Sequence, residues 1–317
     1  MADIVFSALL YMGIFVILSI SLNLINGFTG MFSLGHAAFF GIGAYAAALY
    51  MNAVEPVLYS PAYWTHLCIG IALAMLAAGV AGLAIGVPCL RLTGDYLAIA
   101  TLAFGEIVRI FLQSFRQDVF GGPRGLTLAV DKLDSHWAFL VVLAAIALVT
   151  IVVRNIKSSA AGRAFLAIRE NEIAAQVMGM NASFLKVEAF VIGSALAGLA
   201  GALFAYSRCL IAPKDFGLMC TIMVLLMIVL GGLGSITGAI LGAVVLGLID
   251  PLVRYLPEIF AAMTGGEEDV AVLLMAKENP QIIYALLLIV LIRLRPEGIF
   301  GTRELSDLFR RGERAPS

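Results

Sequence analysis

Glu106 and Arg109 stand one helical turn apart inside an otherwise apolar run, residues 96–115. At i, i+3 spacing both side chains share a helix face, so carboxylate and guanidinium can pair. An isolated charge in mid-bilayer costs about 2.5–3.5 kcal/mol on insertion scales, and pairing offsets part of that. The pair is read as a brace or gate, with direct contact to a solute as the alternative. Other reactive side chains are sparse. His36, His66 and His136 are far apart in sequence, and neither an HExxH helix nor a serine elbow is present, which argues against an enzyme. The cysteines Cys68, Cys89, Cys209 and Cys220 make no CxxC pair and no metal spacing; they read as small buried hydrophobes. No GxxxxGK[ST] phosphate loop occurs, so ATP chemistry would have to come from another chain. No cofactor or metal is expected.

The surroundings of these residues are those of a membrane protein. Of the 317 residues, 62% are hydrophobic and only 13% charged, whereas a soluble domain has about a quarter charged. The net charge of -1 gives no basic surface for nucleic acid. A span needs roughly 20 apolar residues, and about nine such runs are found. They lie near 4–26, 32–52, 66–87, 96–115, 137–154, 186–207, 218–231, 233–256 and 281–295, the seventh and ninth being short. The expected fold is an all-α polytopic transmembrane bundle, a single transmembrane domain over 1–317. Its first run lacks a basic leader and is read as a retained span.

Basic residues orient the bundle. Arg91, the segment 154–186 and the tail from Arg293 fall on one side of a nine-span topology, and they hold most of the Lys and Arg. The opposite side has fewer, and carries the acidic stretch Glu267, Glu268 and Asp269. By the positive-inside rule the loop 155–185 and the tail 296–317 are cytoplasmic, and the N-terminus faces out.

Three segments are candidates for function. Between Asn26 and Tyr45, Gly27, Gly30, Gly35, Gly41 and Gly43 interrupt the apolar run, beside Asn26, Ser33 and His36. Broken helices are tolerated at membrane depth where they line a cavity, so Asn26, Gly30, Ser33, Gly35, His36 and Glu106 are candidates for a translocation path. Glycines that serve packing alone, and a His36 that is only a hydrogen-bonded packing residue, fit the same pattern. Small residues recur every four positions at Ser194, Gly198 and Ala202 and at Gly234, Gly238 and Gly242, a spacing that brings helices close. The loop at 155–185 is too polar to span. Phe165, Ile168, Ile173 and Val177 recur near helical spacing among Arg169, Glu170 and Glu172, and Gly179 supplies a stop. That pattern makes a short amphipathic helix pair, suited to a membrane surface or a partner's groove, or to a plain connection.

Residues 172–179 (EIAAQVMG) resemble the coupling loop of ABC importer permeases, which reads Glu-Ala-Ala, three residues, Gly; the extra Ile173 shifts the match by one. Residues 23–45 (NLINGFTGMFSLGHAAFFGIGAY), 91–107 (RLTGDYLAIATLAFGEI), 121–126 (GGPRGL) and 230–238 (LGGLGSITG) are similar to signatures of branched-chain amino-acid ABC permeases of the LivM type. The likeness runs through nearly the whole chain in the family's order. It implies an inner-membrane permease subunit with two ATPase subunits that bind the ATP, a second related permease and an external solute-binding protein. It places Arg163, Arg169, Glu170, Glu172, Ala175 and Gly179 in the coupling role. The implied solute is a branched-chain amino acid, with urea or a small amide as the alternative. A secondary transporter or channel that needs no ATPase is the rival from another class; Glu106 is the only acid deep in a span that it could use.

Overall fold

The computed structural model describes residues 2–54, 61–89, 92, 94–128 and 135–248, with 286, 289, 293, 298, 299 and 301 as single positions. The helices are α1 (Ala2–Asn23), α2 (His36–Val54), α3 (Pro61–Cys89), α4 (Asp95–Ser114), α5 (Gln117–Phe120), α6 (Ser135–Ser158), α7 (Ala160–Glu170), α8 (Glu172–Val177), α9 (Ala182–Arg208) and α10 (Leu218–Gly231). An eleventh apolar helix, α11, covers Ile236–Leu248. A two-residue ribbon pairs Leu126 with Ile211 and Thr127 with Leu210, antiparallel, and closes the loops after α5 and α9.

Among the described residues, six helices are long and apolar enough to cross a bilayer: Phe6–Phe28, His36–Val54, Tyr63–Pro88, Asp95–Ser114, His136–Ser158 and Ala182–Arg208. They coincide with the first six expected runs. The next two runs correspond to α10, which is shorter, and to α11, whose run extends beyond the described residues. The 14 residues of α10 rise about 21 Å, less than a hydrocarbon core of about 30 Å. Most of the ninth run, the acidic stretch at 267–269, Arg91 and most of the tail 296–317 lie outside the described residues.

Burial sorts the long helices into layers. Helices α1, α2 and α9 are mostly enclosed, while α3, α4 and α6 expose most of their apolar surface. Exposed Ile69, Leu73, Leu76, Val80, Leu83 and Val87 run along one face of α3. A stripe of that kind suits lipid or another membrane chain.

Small residues allow the inner layer. A Cβ on Gly198 of α9 would lie 2.5 Å from the Ala74 carbonyl of α3, and one on Gly43 of α2 would strike the Gly198 backbone. Ser194 is buried on the same face, opposite Gly82. Gly238 and Gly242 of α11 abut the backbone of α10 at Gly231 and Met227, which makes α10 and α11 a close hairpin. Gly234 departs from the expected stripe: it lies in the turn between those two helices, with φ +90°. That backbone conformation favours glycine.

Candidate functional site

The chain between α1 and α2 is irregular for a dozen residues. Helix α1 widens into a π-turn at Leu24–Phe28, residues 29–35 are non-helical, and α2 begins at His36. This segment climbs back inside the bundle. His36 Nε2 lies 2.7 Å from Ser21 Oγ, and Ser21 is seven residues before the end of the π-turn, so α2 starts about 10 Å inside that end. Ser33 and His36 are fully buried and Asn26 nearly so.

Neighbouring helices hold the break in place. The Leu34 N–H donates to Thr101 Oγ1 of α4 at 3.0 Å, and the Ala37 N–H donates to Thr221 Oγ1 of α10 at 3.2 Å. Asn26 Oδ1 accepts from the Ser33 N–H at 3.2 Å, bridging the two ends of the irregular stretch. Gly35 is required by contact, since a Cβ there would collide with the Thr101 carbonyl.

Three polar atoms on this break are buried without a hydrogen-bond partner: Asn26 Nδ2, Ser33 Oγ and His36 Nδ1. Buried polar atoms are nearly always satisfied, so a cluster of three unsatisfied ones marks a place where another polar group fits. Their chemistry can be assigned. Ser21 Oγ donates its hydrogen to the Leu18 carbonyl at 2.7 Å, so it accepts from His36 Nε2–H. A neutral His36 then presents Nδ1 as an acceptor, while Asn26 offers a donor and Ser33 either.

Glu106 and Arg109 are paired through Nη2 at 2.7 Å and Nε at 2.8 Å, both to Glu106 Oε2. The pair lies further along α4 than Thr101, with about a third of each side chain exposed. It braces the helix that anchors Leu34.

The loop from 159 to 181 folds as two helices because polar caps interrupt it twice. Ser159 accepts from the Gly162 N–H, Asn171 from the Ala174 N–H and Asn181 from the Phe184 N–H, starting α7, α8 and α9 in turn. Gly179, with φ +83°, ends α8. Lys186 of α9 clamps α8 through Glu172 Oε1 at 2.5 Å.

The extended Asn171 (φ -157°) divides the apolar positions between two directions. Phe165 and Ile168 are buried against the bundle, and Ala175 packs with Ile168 and Ala182. Ile173, Val177 and Met178 point outward at 75%, 81% and 78% exposure. Two of the residues to which the resemblance gives the coupling role face inward. Ala175 is inside, and Arg169 reaches into the bundle, where Nη1 donates to the Gly27 carbonyl at 2.7 Å. Arg163 and Glu170 are exposed on α7. Spacing puts Ile173 and Val177 on one face with Phe165 and Ile168; the turn at Asn171 separates the two pairs, and Met178, which spacing did not single out, joins the outward set.

Several strands of chain converge at this end. Asn23 Oδ1 accepts from the Gly234 N–H at 2.9 Å, and its Nδ2 donates to the Ser235 carbonyl at 3.0 Å. Lys157 Nζ donates to the Gly234 carbonyl at 3.0 Å and lies over the Phe28 ring. The Ile299 N–H donates to the Leu230 carbonyl at 2.9 Å. The loop, the helix break and the residues Gly298, Ile299 and Gly301 thus share one end of the bundle. A cavity of about 280 Å³ opens beside them, between α6 and α11, lined by Thr150, Arg154, Lys157, Ser158, Ile236, Thr237 and Ile240. Among the described residues, no group of three or more His, Cys, Asp or Glu could hold a metal ion.

Residues 4–292 match the family described as "Branched-chain amino acid transport system / permease component". The chain is 36% identical over 283 residues to the high-affinity branched-chain amino acid transport system permease protein LivM of Escherichia coli K12, covering 80% of this chain and 64% of that protein. A probable LivM of Methanocaldococcus jannaschii is 28% identical over 271 residues, covering 76% and 78%. The E. coli K12 permease LivH is 25% identical over 311 residues, covering 93% of each chain. The chain spans somewhat less than two thirds of the length of the E. coli LivM that it matches.

Proposed function

This multi-pass membrane chain belongs to the branched-chain amino acid transport system permease family, and from that premise we propose that it is the membrane-spanning subunit of an ATP-driven importer in the inner membrane. Its solute is a branched-chain amino acid. It works with two ATPase subunits, a second related permease and an external solute-binding protein, and the chain itself carries no catalytic centre. The loop 159–181 and the tail face the cytoplasm in this reading.

One observation carries it. Helix α8 presents Ile173, Val177 and Met178 to the outside on a polar loop, clamped to α9 by an ion pair. Three adjoining apolar side chains held in the open on a braced helix fit an amphipathic-helix-in-groove contact with a soluble partner. The break at 24–35, with its unsatisfied polar atoms, supports a place for the solute's polar groups along the path.

The test is reconstitution of the chain with its ATPase subunits, partner permease and binding protein in sealed vesicles. Labelled leucine should accumulate on addition of ATP, and not under an ion gradient alone. Accumulation driven by a gradient, with no ATPase present, would replace the proposal with a secondary transporter.

A further inference from the structure

Arg169 sits in the last turn of α7, where an arginine ordinarily reaches to solvent or to the helix's own terminal carbonyls. Its side chain instead goes to a backbone carbonyl 142 positions away in sequence, at Gly27 in the π-turn. On the way it crosses two further backbone segments. A Cβ on Gly30 would lie 3.2 Å from Arg169 Cγ and 3.6 Å from its Cα, so the arginine rests on bare backbone. A Cβ on Gly234 would lie 2.6 Å from Nη1 and 3.3 Å from the Gly27 carbonyl oxygen. Gly30 and Gly234 have φ of +71° and +90°, so both turns pass close to the side chain in conformations that a larger residue resists.

We propose that Arg169 is a positioning residue that carries movement of the α7–α8 loop to the helix break, by holding the π-turn and the 232–235 turn in one grip. The proposal rests on the reading of that loop as the element an ATPase moves. The linkage continues on both sides of the grip. Asn23 stitches the same two segments together through Gly234 and Ser235. From Gly27 the chain leads through Asn26 and Ser33 to Leu34, which is fastened to Thr101 on α4. From Gly234 it leads into α10, whose Thr221 holds the first turn of α2. A displacement of α7 therefore pulls on both halves of the frame around Asn26, Ser33 and His36. A single π-turn at the end of an α-helix is in keeping with this role, since such turns are found frequently at functional sites. Lysine would keep the charge but not the planar fork whose Nη1 passes close to Gly234 while donating to Gly27.

The experiment compares wild type, Arg169→Gln, Arg169→Lys and Gly234→Ala in the complete transporter in vesicles, with solute uptake and ATP hydrolysis read from the same sample. Arg169→Gln should bind the ATPase subunits and hydrolyse ATP, but move roughly tenfold less solute per ATP, as expected for loss of one charge-assisted hydrogen bond. Arg169→Lys should fall between, and Gly234→Ala should uncouple with the arginine intact. Equal solute per ATP in Arg169→Gln and wild type overturns the proposal. So does a loss of uptake that tracks loss of ATPase binding, which would make Arg169 a docking residue. A wild-type transporter with no ATP-driven uptake brings down the loop reading itself, and the proposal with it.

Discussion

Replacing the outward side chains of α8 should detach the ATPase without disturbing the bundle. Val177 and Met178 still have more than three-quarters of their surface open, and neither packs on the hydrophobic core. Full burial of such a side chain contributes about 1.5–3 kcal/mol. Scaled to the area left to bury, each would add about 1–2 kcal/mol on docking. Val177→Asp with Met178→Asp removes both and asks a groove to desolvate two carboxylates, so the loss is at least about 2–4 kcal/mol. That corresponds to roughly 30- to 1,000-fold weaker association at 1.4 kcal/mol per decade. The assay titrates purified ATPase subunits against the detergent-solubilised membrane complex, with thermal melting as the check on folding. Val177→Ala alone should show a smaller loss in the same direction. Unchanged affinity in the double variant, with melting intact, would show that α8 is not the docking helix.

Other substitutions address the remaining parts. Glu106→Gln should lower thermal stability by about 1–3 kcal/mol, less than for a fully buried pair because about a third of each side chain is exposed. Adding Arg109→Gln should restore part of it, and equal melting of single and double variants would argue against coupling. Glu172→Lys should loosen α8 and reduce ATP-stimulated uptake, and the exchange Glu172→Lys with Lys186→Glu should recover it; failure of the exchange would mean that the ion pair is not what positions α8. Gly35→Ala drives a Cβ into the Thr101 carbonyl, so uptake should fall by tenfold or more even where the chain inserts normally; wild-type uptake would show that the break tolerates displacement from α4.

The apolar runs place the first six long helices to within about four residues at each end, since lipid demands length and composition that little else produces. The glycine-rich stretch after Asn26 marks the broken segment, and Asn171, Gly179 and Asn181 mark the ends of the loop helices through ordinary capping chemistry. Directions within the loop were not legible. Phe165, Ile168, Ile173 and Val177 look like one helical face, but the extended backbone at Asn171 turns the second pair away from the first. Gly234 looks like the first member of a packing stripe, and only its positive φ and its contact with Arg169 show it to be a turn. The unsatisfied atoms of Asn26, Ser33 and His36 belong to tertiary geometry, and no pattern in the sequence reports them.

The backbone-to-backbone meeting of α2, α3 and α9 at Gly43, Gly198 and Ala74 has a mechanical result. Only glycine and alanine stand at that point of contact, which leaves the three segments little room to shift past one another and makes them a tightly packed keel. Whatever opens and shuts a passage must then swing around that keel, and the outlying helices, with their freer apolar flanks, are the ones able to swing.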